Sequence, residues 1–213
     1  MYTGAEREAL KPVEWVGDSL GRVRALSKPA RQQVGYELEL IQHGMEPSDW
    51  KPMSTVGPGV NEIRIHIEGE HRLFYVARLR HAIYVLHVFR KKSRKTSNAD
   101  IELARTRLQE AFTDGGIEEM IRQKSRHDVF TDLGFAPAEA ENLRIRSAMM
   151  RALVAYIRKK KLTQAQAAKL LRVTQPRVSD LMRGKIHLFS IDNLVVLLTA
   201  AGLSVDLKIK TAA

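Results

Sequence analysis

The sequence predicts an α+β domain followed by a mainly helical one, and three observations carry that prediction. Residues 61–89 hold three runs of strand character in close succession. Residues 98–112 and 137–160 repeat apolar side chains at helical spacing. Residues 163–184 read as two short helices, each with its own start and stop signals. At 213 residues the chain has room for two compact domains, each able to bury a core.

Taken in order, Pro12–Gly17 reads as a short strand with Val13, Trp15 and Val16 as its apolar members. Asp18 or Ser19 caps a following helix that carries Leu20, Val23 and Leu26. Pro29 opens a longer helix, in which Val34, Leu38 and Ile41 form a stripe that ends near Gly44. Met45–Gly59, with three prolines and two glycines, is expected to be irregular. Asn61–Ile67 then alternates, with Ile63, Ile65 and Ile67 on one face and Arg64 and His66 on the other. Arg72–Ala77 follows a turn at Glu68–Glu70, and Ala82–Phe89 is nearly all apolar, as in a strand buried on both faces. Short connections make these three an antiparallel meander. A helix over Asn98–Phe112 closes the domain, with Ile101, Ala104, Leu108 and Ala111 on its buried side. Helices are expected to cover one face of the sheet and to leave the face of Arg64 and His66 open.

Residues 113–135 have weak periodicity and mixed charge and are expected to be a linker between domains at 1–112 and 136–213. From Pro137 a helix runs to about Lys160, with Leu143, Met150, Leu153, Val154 and Ile157 on its apolar side. Thr163 and Gln166 have capping-box spacing, so a helix starts at Gln164. Thr174 is a second N-cap, Pro176 sits in the first turn, and Gly184 stops the helix that carries Val178, Leu181 and Met182. Ser190–Ala201 forms another helix, and Leu203–Ile209 alternates as a terminal strand. Such a strand could pair with its copy and give a homodimer through the C-terminal domain.

Two short helices separated by about four residues, the second polar at its start, describe a helix-turn-helix, although a plain helical hairpin would share the spacing. In that motif the N-terminal residues of the second helix enter the major groove of DNA. Gln164, Thr174, Gln175, Arg177, Ser179, Arg183 and Lys185 are the candidate DNA contacts. Glutamine and arginine make bidentate contacts to base edges. Asp180 reads as a cap, a contact to cytosine or a partner for Arg183.

The formal net charge of +11 favours a polyanionic partner, and composition alone does not separate nucleic acid from an anionic membrane. Residues 1–113 carry 18 Lys and Arg against 14 Asp and Glu, and residues 114–213 carry 17 against 10, so both halves have reason to meet an anion. The lack of cysteine excludes disulfides and zinc–thiolate sites. With neither a membrane-length apolar run nor a signal-peptide core, a soluble cytoplasmic protein without a membrane partner is expected.

The second half, from Pro137 to Ile209 and above all in the run Leu162–Lys185, resembles the HigA-like antitoxins of the XRE helix-turn-helix type. That likeness implies an operator binder that represses its own operon. The first half resembles the RelE/HigB-like toxins, specifically their phage-derived branch. The likeness rests on KPVEWVGDSL at 11–20, HGMEP at 43–47, DWKPM at 49–53, VGPGVNEIRI at 56–65, HRLFYV at 71–76 and YVLHVFRKKSRKT at 84–96. It implies a small endoribonuclease that cuts mRNA on the ribosome without a metal or other cofactor. In-line attack by the RNA's 2′-OH needs a base, an acid and cations for the charge that develops on phosphorus. Arg72, Lys91 and Lys92 are assigned to the phosphate, and Arg64 and Lys51 to positioning or to the base. His87 is either an acid or base, or a core histidine, since it shares strand parity with Val85 and Phe89. Arg90, Arg94 and Lys95 complete a run of five cations in six positions, read as RNA-binding, with a solvated surface as the plain alternative. A toxin and antitoxin in one chain is the resulting expectation, with Met120 standing where a separate antitoxin would begin. A transcriptional regulator with a silent N-terminal domain is the alternative.

Overall fold

The computed structural model describes residues 10–77, 82–93, 95–112, 123–124 and 128–206. It divides into two compact units, Met1–Ala140 and Glu141–Ala213. No described helix is long and apolar enough to cross a membrane.

The first unit is built on a sheet of six strands: β1 (Val13–Trp15), β2 (Trp50–Pro52), β3 (Val60–Ile65), β4 (His71–Val76), β5 (Ile83–Arg90) and β6 (Gln123–Lys124). Their order is β2-β3-β4-β5-β1-β6. β3, β4 and β5 form the meander expected from their short connections. β1 is parallel to β5, so the sheet is mixed rather than purely antiparallel. The chain leaves β1 through α1 (Ser19–Arg24) and α2 (Lys28–Gln42) and re-enters the sheet at its far edge as β2. β2 lies in the stretch expected to be irregular; Pro52 is tolerated because β2 is the edge strand.

Cross-strand partners share a face. Ile63 and Leu73 are partners, as are Val60 and Val76, Glu62 and Phe74, and Arg64 and Arg72. The face of Val60, Phe74 and Val76 packs against α3 (Asn98–Phe112) through Ala104, Ala111, Ile101 and Leu108. α1 and α2 pack against β5 and β3 from the side of Ile63 and Leu73. Both faces therefore carry helices, which corrects the expected open face. Arg64 and Arg72 continue the α3 face toward Phe89, which belongs to the same cluster.

The stretch read as a linker contains β6 and α4 (Val129–Asp132), and both are part of the first unit. Residues 113–122 and 125–127 of that stretch, including Met120, lie outside the described residues. Asp128 caps α4, accepting from the amides of Phe130 and Thr131. Phe130 and Leu133 are fully buried, and Trp15 Nε1 donates to Asp132 across 3.2 Å. A Cβ on Gly35 of α2 would stand 2.5 Å from the Phe130 ring, so glycine here makes room for that ring. Arg31 lies over Phe135, and Lys28 pairs with Glu139 at 2.8 Å. Between the sheet, α1 and this segment, ten of the fifteen residues of α2 are buried, many more than the Val34–Leu38–Ile41 stripe required.

The second unit contains α5 (Pro137–Lys159) from Glu141 onward, α6 (Gln164–Leu171), α7 (Gln175–Met182), a 3-10 turn (Ile186–Leu188) and α8 (Ile191–Ala200). The capping box forms as its spacing required: Gln166 N donates to Thr163, and Thr163 N donates to the Gln166 side chain. Arg172 takes a left-handed conformation at the end of α6, φ 56°, and turns the chain into α7. Leu203–Asp206 has no regular structure, and residues 207–209 of the expected terminal strand lie outside the described residues.

Candidate nucleic-acid interface

Strand register brings three of the sequence-derived candidates to one carboxylate. Glu62 is 0% exposed and lies opposite Lys51 on β2, two residues before Arg64 on β3. Its Oε1 is 3.2 Å from Arg64 Nε, 3.7 Å from Arg72 Nε and 3.7 Å from Lys51 Nζ. Its Oε2 is buried without a hydrogen-bond partner. A carboxylate so buried is tolerable only because three cations surround it. Arg72 is 6% exposed; its Nη2 donates to Glu70 at 2.9 Å and its Nη1 to the His71 carbonyl at 2.8 Å. Arg64 reaches Asp49 Oδ1 at 3.4 Å. The guanidiniums of β3 and β4 are thus fixed side by side, Arg64 half-buried and Arg72 buried, with the fork geometry that suits a phosphate.

The basic run is placed less centrally. The Lys91 amide donates to the Glu70 carbonyl at 2.6 Å, so the run leaves β5 beside the turn that supplies Glu70. Arg90, Lys92 and Lys95 are exposed and Lys91 half-buried; Arg94 lies outside the described residues. Sequence reading missed Glu62, Glu70, Asp49 and His66. Glu62 was findable, because it has the same strand parity as Arg64.

His87 is 1% exposed, which seals it from a substrate and makes it a core histidine. Its Nε2 lies 2.9 Å from Asp100 Oδ1 and its Nδ1 3.4 Å from Arg107 Nη1. Arg107 can only donate, so Nδ1 accepts and Nε2–H donates to Asp100. Arg107 also reaches Asp18 at 2.5 Å, so the network ties α1, β5 and α3 together. Burial holds the pKa of His87 below the ordinary value; Asp100 opposes this and Arg107 and Arg22 add to it.

Behind the cluster, Glu37 of α2 is buried and accepts from the Ser48 amide at 2.7 Å, next to Asp49. Burial pushes its pKa up to about 7, against the hydrogen bonds from Ser48 and Gln33. The folded form therefore keeps a proton that the unfolded chain releases near pH 4.5. Stability from this group is complete below about pH 4.5 and is lost as the pH rises through about 7. Glu37→Gln is expected to remove that slope, worth roughly 3 kcal/mol across the window, in urea denaturation compared with the parent chain from pH 4.5 to 8.

In the second unit α6 and α7 pack as a helix pair joined by residues 172–174. Gln164, Thr174, Gln175 and Arg183 are exposed and Ser179 half-buried. Lys185 Nζ is 2.7 Å from Asp180, which gives Asp180 a partner other than the Arg183 considered from sequence. Arg177 folds back on its own unit: its guanidinium lies 3.9 Å over the Phe189 ring, and Nη2 donates to the Leu188 carbonyl at 2.7 Å. The two parts of the chain match two different families. Residues 22–109 match the family described as phage derived protein Gp49-like (DUF891), and residues 129–210 match a helix-turn-helix domain family. No curated protein matches the chain. The chain thus carries a Gp49-like domain followed by a helix-turn-helix domain, and the second match begins at α4, inside the first compact unit.

Proposed function

We propose that this chain is a toxin–antitoxin pair in one polypeptide. The Gp49-like domain is a RelE/HigB-type endoribonuclease acting on mRNA at the ribosome. The helix-turn-helix domain is a HigA-like operator binder that represses its own operon. The observation that carries this reading is the convergence of Lys51, Arg64 and Arg72 on Glu62. In the proposed reaction the 2′-oxygen attacks phosphorus, the 5′-oxygen leaves, and Arg64 and Arg72 hold the charge that builds on the phosphoryl oxygens. Lys51 flanks them, and the run from Arg90 to Lys95 follows the RNA backbone. Segment 128–140 packs against α2, on the sheet face opposite this cluster, so neutralisation does not come from that segment masking the arginines.

The test compares the full chain with residues 1–140 for ribosome-dependent mRNA cleavage. Cleavage by the shorter chain, suppressed in the longer, is the expected result. Inert preparations of both would leave a DNA-binding regulator with a silent first domain. That second reading has one observation in its favour: both arginines are already paired with carboxylates.

On DNA, Thr174 and Gln175 at the exposed start of α7 are the proposed base contacts, and Gln164, Ser179, Arg183 and Lys185 lie along the backbone. Gln175→Ala is expected to relax operator choice at one base pair, costing roughly 1–3 kcal/mol. Arg177→Ala is expected to weaken all sequences alike and to lower the stability of the unit by about 1–3 kcal/mol, because it removes the Phe189 and Leu188 contacts. Band-shift titration on single-base operator variants, with thermal melts, separates the two. A homodimer through the second unit fits the exposed Leu170, Val195 and Val196, which line a groove between α6 and α8.

A further inference from the structure

The two arginines of the cluster belong to a closed ring of alternating charge. From Arg64 Nη1 the ring passes to Asp49 Oδ1 at 3.4 Å, and Asp49 Oδ2 meets His66 Nε2 at 2.9 Å. His66 Nδ1 meets Glu70 Oε1 at 2.8 Å, and Glu70 Oε2 takes Arg72 Nη2 at 2.9 Å. Glu62 closes it back to Arg64. Asp49 and Glu70 hold one arginine each, Glu62 faces both, and the half-exposed imidazole of His66 bridges Asp49 and Glu70. A ring nitrogen bonded to a carboxylate must carry its proton, so both bonds form together only in the imidazolium.

We propose that His66 is a positioning residue for the phosphate-binding arginines: its imidazolium occupies Asp49 and Glu70, so that Arg64 and Arg72 turn their remaining donors to an RNA phosphate. This rests on the endoribonuclease reading above. Neutral His66 can donate only one of its two bonds. The carboxylate left over then competes with phosphate for its arginine. Protonation therefore favours the anion twice, by adding a positive charge at the rim and by releasing guanidinium donors.

Several other groups bear on His66. Asp49 and Glu70 touch it, Arg64 and Arg72 stand behind them, and Glu68 shares its turn. Beyond the turn lies His71, whose pKa burial and Arg90 hold low. Burial opposes charge on His66, yet Glu70 and Asp49 outweigh it and raise its pKa above the ordinary value. The positive form is thus populated near neutral pH.

The experiment uses the full chain and an RNA oligonucleotide made uncleavable by 2′-O-methylation. Affinity is read by fluorescence anisotropy from pH 8.5 to 6 for the parent and for His66→Gln, which has a neutral side chain at this half-exposed position. The parent is expected to bind several-fold more tightly at the lower pH, because the imidazolium form binds the anion better and binding therefore takes up a proton. In His66→Gln that gain is expected to vanish. The Nε–H resonances of Arg64 and Arg72 should follow the His66 titration in the parent and stay fixed in the variant. RNA binding with parallel pH profiles in both proteins would overturn the role of His66 while leaving the endoribonuclease reading intact. A parent that binds no RNA at any pH would overturn both.

Discussion

Replacing Arg72 by alanine is expected to lower mRNA cleavage by residues 1–140 by about a hundredfold or more, the size of effect seen when one preorganised donor to a developing anion is removed. The same substitution is expected to cost stability, because Arg72 is itself buried and is one of three cations facing the buried Glu62. Breaking a buried pair from one side leaves a charge without compensation and costs about 3–5 kcal/mol. Lost cleavage in Arg72→Ala alone would therefore not tell chemistry from folding. Arg72→Lys separates them: it keeps the positive charge near Glu62 and loses the planar fork that serves Glu70, the His71 carbonyl and a phosphate together. Most of the stability is expected to return in Arg72→Lys while cleavage stays low. Urea denaturation and single-turnover cleavage on programmed ribosomes measure the two effects. A lysine variant that cleaves like the parent would leave Arg72 a purely structural role.

The parts legible from sequence are those where periodicity speaks. α3 spans Asn98–Phe112, as its apolar spacing requires, and the Thr163–Gln166 box fixes the start of α6. Strand parity sets Arg64 on the face opposite Ile63 and Ile65, and the β3–β4 register has the same division, with Arg64 against Arg72 and Ile63 against Leu73. Glu62 obeys the same parity, but a single carboxylate in a strand carries no sequence signal of the cations that fold around it. Alternation sets His66 on the face of Arg64, but Asp49 and Glu70 lie outside the strands, where no period links them, and only tertiary folding closes the ring. The three-residue β1 shows its strand character but not its neighbour, so the parallel pairing with β5 was hidden. Arg177 reads as a free cation at the start of a polar helix until Phe189, twelve residues on, is seen beneath it.

Phe130→Ala is expected to destabilise the first unit by about 3–5 kcal/mol, the usual range for truncating a fully buried aromatic. Phe130 sits over Gly35, and Leu133, Val129 and Phe135 are buried with it. None of these four belongs to the span that matches the Gp49-like family, which ends at residue 109. The first unit therefore completes its hydrophobic interior with side chains from the beginning of the helix-turn-helix match. Gly35→Ala approaches the same contact from the other side. Its Cβ would stand 2.5 Å from the Phe130 ring, so it is expected to cost about 1–3 kcal/mol by overpacking. In combination with Phe130→Leu that cost should shrink, because the ring that is struck is gone; the non-additivity is the signature of direct contact. Residues 1–112 alone should then be far less stable than residues 1–140, since α2 would lose the cover that buries Gln32, Gln33 and Gly35 on its outer side. Equilibrium urea denaturation of the two lengths and the three variants checks each step. Equal stability of the two lengths would mean that the Gp49-like domain stands alone and that segment 128–140 merely rests on it.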